Sequence, residues 1–392
     1  MKKQLEKLSL LSLSLILVST LSPSAALPQM ISDFARQGIS ASQVEFLFSL
    51  SSFAVLVMLL IAPWMARYLS EKVMIITGLL LVAFGGSLPL LFQSYGLVYF
   101  SRILLGFGLG FINARAISII SENYRGSERV QMLGIRGSFE ILGNALLTAI
   151  CGFLVTFGWS KAFAVYLFAL LILLFYLLFA PKKEKTSQAQ DVQDVVKGKL
   201  GKQHLSLVIG LSILAGFAIN VNSANSLRIP VVIVDNNLGS ASQASVILSL
   251  MMLVGIISGL LFSYLDKVLK EHLLPFSFFL LGASLMLMGM ATTLWLLTLG
   301  AMLANFSYSI IVTATFSKTS EALPANLIAS ATTLILVFCI LGGATSSFVL
   351  SFFSRFSPVK STAFLIYAGV SIGIALLLLA RRFVVKKEMS LD

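Results

Sequence analysis

Leu97-Val98-Tyr99-Phe100-Ser101-Arg102-Ile103-Leu104-Leu105-Gly106-Phe107-Gly108 is an apolar run with one arginine at its middle, and a second run over 131–156 holds Arg136 and Glu140. With Arg115 between them, four charges lie in or near lipid. A charge near the bilayer centre costs at least about 2.5–3.5 kcal/mol, so such residues face protein or a water-filled cavity and mark function by default. The stretch reads as two consecutive membrane spans with a working polar face.

The rest of the chain extends that reading. Of its 392 residues 58% are hydrophobic and only 11% charged, a balance foreign to soluble domains. A helix needs about 20 apolar residues to cross a core of roughly 30 Å. Windows of that length predict an all-α membrane protein with spans near 8–30, 43–66, 73–94, 97–120, 131–156, 161–181, 203–229, 243–265, 273–293, 295–317, 326–352 and 361–382. The net charge of +12 does not point to nucleic acid, because the 28 Lys and Arg are sorted by side. Lys2, Lys3 and Lys7 precede the first span; Arg67, Lys72, Arg125, Arg129, Lys267, Lys270 and Lys318 follow even-numbered ones. Lys182, Lys183, Lys185, Lys197, Lys199 and Lys202 lie between the halves, and Arg381, Arg382, Lys386 and Lys387 end the chain. The opposite side carries Arg36, Lys161, Arg355 and Lys360. This asymmetry puts both termini in the cytoplasm of a multi-pass protein of the cell membrane. Cys151 and Cys339 sit in apolar surroundings as small hydrophobes, and His204 and His272 lie at span ends, so no disulfide, metal or cofactor is expected.

The first 26 residues have the layout of a secretory signal, with Lys2 and Lys3, an apolar run from Leu8 to Val18, and small residues Ser24 to Ala26. Cleavage there would leave eleven spans and reverse the charge logic, so the segment is expected to stay as span one. It also has a partner further on. Ser40-Ala41-Ser42-Gln43 recurs as Ser240-Ala241-Ser242-Gln243, Ser49-Leu50 as Ser249-Leu250, and Ile141-Leu142-Gly143 as Ile340-Leu341-Gly342. Ser-x-x-Gln suits a helix start, where the two side chains satisfy free backbone N–H groups. Pro28 and Pro230 precede the two copies and are expected to close the previous spans. The repeat predicts two pseudo-symmetric six-helix bundles, 1–181 and 203–392, joined by a polar cytoplasmic linker over 182–202.

Two parallel halves about a membrane-normal axis are the arrangement of the major facilitator superfamily, with the substrate site near the midplane between them. The residues carry the resemblance as well. Arg102, Gly106 and Gly108 resemble that superfamily's fourth-span motif, with Leu105 in place of the usual Gln. Ala62 to Lys72 resembles its Gly-x-Leu-x-Asp-Arg-x-Gly-Arg-Lys loop, with Ala66 at the Asp position and Arg67 retained, while Asp266-Lys267 keeps the acid in the second half. The resemblance implies conformational-latch loops at Arg67, Asp266 and Lys267. The antiporter signature of span five is present only as Gly143 and Gly152, without its Gly-Pro.

Arg136, Glu140, Asn144 and Thr148 recur every four residues and form one stripe. Glu140 stands well inside its span and is the expected proton carrier, coupled with Arg102; Asp33, Glu45 and Asp235 near the outer face are the fallback acids. Arg115, Arg136, Asn113, Asn144, Asn222, Asn225, Asn305 and Tyr308 are the expected cavity lining, set against a plain helix-packing role for each amide. Arg228, beside Pro230, is expected to snorkel to the interface. Gly106 and Gly110 are expected to allow close helix approach. These readings predict a monomeric secondary transporter, not an enzyme, whose partners are protons, the lipid bilayer and a small-molecule substrate: proton-coupled efflux of a small organic compound, or, as the alternative, import or exchange of a small organic anion.

Overall fold

The computed structural model describes residues 2–123, 126–180 and 201–388. Arg125 and the linker over 182–200, with Lys182, Lys183, Lys185, Lys197 and Lys199, lie outside the described residues, as do the side chains of Arg129, Arg381 and Arg382. Every regular element among the described residues is helical. Ten stretches are long and apolar enough to cross a membrane, eleven with a bent pair at the N-terminus. One of the ten, Ala241–Gly289, has 49 residues, about 70 Å at 1.5 Å per residue and more than twice a bilayer core. It breaks at Lys270, whose φ is +48°, into Ala241–Leu269 and Leu273–Gly289. Twelve crossings result among the described residues, as the hydropathy predicts.

The ends of the spans show why the repeat is visible in the sequence. Ser40 caps Ala41–Met65 with both arms of the box: Gln43 N–H donates to Ser40 Oγ (3.4 Å) and Ser40 N–H to Gln43 Oε1 (2.9 Å). The second copy repeats it, Gln243 N–H to Ser240 Oγ at 3.2 Å and Ser240 N–H to Gln243 Oε1 at 2.8 Å. The prolines do not close the preceding spans. Pro28 opens the helix Leu27–Ala35 at its first turn, where its missing N–H is no loss, and Pro230 lies inside the helix Lys202–Asp235. The stops are left-handed residues instead: Gly38 at φ +77° and Asn237 at φ +53° turn the chain so that Ile39 N–H reaches Phe34 O and Leu238 N–H reaches Ile233 O.

The chain divides into two compact units, Met1–Ser187 with Ile229–Leu253, and Gln188–Arg228 with Val254–Asp392. In the first, span one is bent by 48° between Gln4–Ile16 and Ser19–Ala35, with a second irregularity at Pro23, and span three carries a π turn at Leu81–Gly85. Close approach is set by glycine. A Cβ on Gly106 would meet the Ser51 carbonyl and one on Gly110 the Met58 side chain, so spans two and four touch along both, as their spacing predicts. Ile229–Leu253 joins this unit through hydroxyls: Ser245 Oγ donates to Thr148 O and Ser249 Oγ to Ala145 O, both at 3.0 Å.

The second unit repeats the first in its interior ties. Tyr166 OH donates to Ser19 O (2.9 Å) in one unit and Tyr367 OH to Asn220 Oδ1 (2.6 Å) in the other, each pair 147 residues apart. Gly143 meets the Leu15 carbonyl in one, and Gly342 meets the Gly216 carbonyl in the other. Backbone cannot move aside for a side chain there. Replacing Gly143 or Gly342 by Leu is therefore expected to destabilise the purified protein by about 3 kcal/mol or more, the upper end of overpacking. Gly134 and Gly137 have nothing within 4 Å of a Cβ, so their alanine variants should gain about 0.5–1 kcal/mol. Thermal unfolding in detergent checks both signs.

Candidate functional site

The stripe on the fifth span (Gly126–Leu154) faces protein. Arg136 Nη2 forms an ion pair with Glu140 Oε1 one turn along, with side chains 13% and 22% exposed. Asn144 Oδ1 accepts from Ser22 Oγ of span one at 3.0 Å, and Thr148 Oγ1 lies 3.9 Å from Met252 Sδ. Arg136 Nε is buried without a hydrogen-bond partner among the described residues. The i,i+4 spacing that makes the stripe legible is also what pairs the two charges.

Arg102, on the fourth span (Tyr95–Asn123), has 0% exposure. Its guanidinium carbon lies 4.5 Å from the centroid of Phe48 and 4.6 Å from that of Phe163, so two rings sandwich the cation. Nη1–H donates to Tyr166 OH at 3.2 Å, and Tyr166 OH donates its own proton to Ser19 O. Nε and Nη2 are buried with no hydrogen-bond partner among the described residues. The arginine is thus held by the second and sixth spans, through two aromatic faces and one hydroxyl. Phe48 and Phe163 do not stand out in the sequence, where aromatic residues in spans pass for packing. Tyr166 does carry a signal, since Tyr367 occupies the same place in the repeat.

The other expected lining residues belong to both units. Arg115 is half-buried, its Nε turned to Met74 Sδ of span three at 3.4 Å rather than to Glu140, and Asn113 is half-buried nearby on the same helix. In the second unit Asn222 is half-buried, and Asn225 is buried with Oδ1 lacking a partner among the described residues. Asn305 is buried on the tenth span (Leu294–Ala322), where a Cβ on Gly255 would stand 3.5 Å from its Nδ2; Tyr308 is half-buried one turn on. Arg228 does not snorkel: it is 2% exposed and its Nη2 donates to Leu350 O (3.4 Å) of the eleventh span (Ala325–Phe353) and to Oγ of Ser354, the residue after it (3.2 Å). Hydroxyl and carbonyl acceptors inside the bundle outcompete the interface. Among the expected latch residues Arg67 and Lys267 are exposed and Asp266 half-buried, and no ion pair engages any of them among the described residues. Glu45, only a fallback from its place near a span end, is 1% exposed, far more enclosed than Glu140.

Comparison with known proteins identifies the class of machine. The Major Facilitator Superfamily profile matches residues 8–227, more than half of the chain. No curated protein sequence matches it. Among solved structures the chain is similar to a mutant of the peptide transporter POT in complex with sulfate, at 15% identity and a TM-score of 0.75 over 96% of this chain and 94% of that one. It is similar to the POT family transporter PepTSo at 12% identity and 0.74 over 98% of each, and to a mutant of the nucleoside transporter NupG at 16% and 0.69 over 95% and 99%. At these identities the likeness speaks to the fold. The sequence profile, the twelve crossings and the repeated interior ties agree: the chain is a member of the major facilitator superfamily.

Proposed function

We propose that this transporter exports a small organic compound across the cell membrane by alternating access, with proton return coupled through Glu140 and Arg102. The observation that carries the reading is the Arg136–Glu140 ion pair inside a span. A carboxylate held there is stable only paired or protonated, so proton binding and substrate binding can bias one rocking equilibrium. In this reading the halves 1–181 and 203–392 rock as two bundles of a monomer around a cavity that Arg115, Asn113, Asn144, Asn222, Asn225, Asn305 and Tyr308 line.

One observation favours the alternative, import or exchange of a small organic anion: Arg102 keeps two buried donors, Nε and Nη2, that a carboxylate or phosphate is suited to accept from. A thermal-shift screen of purified protein separates the two, because a ligand stabilises by mass action. The panel includes organic cations, organic anions, peptides and nucleosides. The export reading expects stabilisation by apolar cations and, in liposomes, substrate-driven proton movement; hits confined to anions overturn it.

In the same reading both termini lie in the cytoplasm. Cysteine at position 37 is then expected to react with an impermeant maleimide on intact cells, and cysteine at position 68 only after permeabilisation. Both positions are exposed, and the native Cys151 and Cys339 are buried. The reverse pattern would invert the topology.

A further inference from the structure

We propose that the first unit carries a recognition site for a small zwitterion with one ammonium and one carboxylate, seated between Asp33 and Arg36. It lies at the start of the second span, the end opposite Arg67, and it needs neither the proton coupling nor the direction proposed above.

A cavity of about 260 Å³ opens there, lined by Asp33, Phe34, Arg36, Gln37, Gln93 and Trp159. Drug-sized ligands occupy about 300–1,000 Å³, so this one suits a molecule of amino-acid size. Its floor is rigid. Phe34 and Trp159 are buried with ring centroids 5.5 Å apart, and Tyr95 closes on Phe34 edge-on at 5.7 Å. Gly38 and Gly158, at φ +77° and +111°, turn the chain beside Gln37 and Trp159. The walls are fixed too: Gln93 Nε2 donates to Ser160 Oγ at 3.3 Å.

The charges decide the ligand. Trp159 Nε1–H donates to Asp33 Oδ2 at 2.7 Å, which sets the orientation of the carboxylate and leaves Oδ1 for another partner. That oxygen meets Arg36 Nη1 at 4.0 Å, with side chains 44% and 79% exposed, so little is lost when a guest parts them. A guest bearing only a cation would face Arg36, and one bearing only a carboxylate would face Asp33. A zwitterion satisfies both and leaves the net charge unchanged. The amides of Gln37 and Gln93 donate to its carboxylate or accept from its ammonium, and the aromatic floor takes its apolar part.

The test uses full-length protein with Trp64→Phe and Trp295→Phe, both exposed, which leaves Trp159 as the sole tryptophan of three. Its emission is titrated with L-alanine and β-alanine, and with ethylammonium and propionate as half-charge probes. A saturable change is expected with at least one zwitterion, and both half-charge probes should bind at least roughly tenfold more weakly, as should either zwitterion to Asp33→Asn or Arg36→Gln. The amide oxygen introduced by Asp33→Asn still accepts from the indole, and position 36 is exposed, so both variants should unfold at the parent temperature. Absence of a saturable change, equal binding of ethylammonium or propionate, or unchanged binding in both variants overturns the site.

Discussion

Arg102→Met is expected to unfold within about 1–2 kcal/mol of the wild type and to transport nothing. Two opposed effects set the stability. Removal of the side chain loses two ring contacts and the bond to Tyr166 OH, while it also removes a fully buried cation two of whose donors have no partner among the described residues. Replacing buried ions by apolar groups of similar volume is often neutral or stabilising by about 1–4 kcal/mol. Methionine keeps most of the volume between Phe48 and Phe163 and gains a sulfur contact with their rings. Tyr166 is not orphaned, because its hydroxyl still donates to Ser19 O. Arg102→Ala removes the same charge but leaves a void between the rings, so it should fall by about 2–5 kcal/mol. The pair separates charge from packing. If transport tracks charge, both variants are inactive while only Ala is unstable; active Arg102→Met would reduce the arginine to a spacer and deprive the motif of functional content. Thermal unfolding and uptake into liposomes are measured on the same preparations.

What can be read from the sequence is local, and what escapes it is long-range. The capping boxes at Ser40 and Ser240 and the Arg136–Glu140 pair each depend on residues three or four apart, a spacing that helix geometry converts directly into contact. The partners of Arg102 are distant in sequence and are phenylalanine and tyrosine, residue types that give no sign of a charge beside them. Arg228 misleads for the same reason: its acceptors, Ser354 and the Leu350 carbonyl, lie 122 to 126 residues away. Proline misleads in another way. Its effect depends on whether neighbouring groups satisfy the carbonyl it frees, whereas Gly38 and Asn237 in the left-handed region stop a helix whatever surrounds them. Glu45 shows the limit of depth counted along a helix: although it sits in the first turns of its span, it is almost wholly enclosed by neighbouring helices.

Glu140→Gln should leave the protein folded and able to run downhill exchange, while abolishing accumulation against a gradient. Glu140 is only partly exposed and its ionic partner Arg136 is on the same helix, so the charged and protonated forms differ mainly in whether that pair is closed. Glutamine resembles the protonated form in size and hydrogen bonding but cannot release a proton. Its amide oxygen still accepts from Arg136, and with the arginine 13% exposed, water takes up part of the unbalanced charge. The loss in stability should therefore stay within about 1–2 kcal/mol, below the roughly 3–5 kcal/mol seen when a fully buried pair is broken. Arg136→Gln makes the complementary change, freeing the carboxylate from its partner, and should shift the pH dependence of transport rather than remove coupling. Substrate-induced proton movement in liposomes, read with a pH-sensitive dye, distinguishes these outcomes. Wild type is expected to move protons with substrate, Arg136→Gln to do so over a displaced pH range, and Glu140→Gln not at all. Undiminished proton movement in Glu140→Gln would pass the role to another acid, with Glu45 first because at 1% exposure it is the most enclosed of the fallback acids.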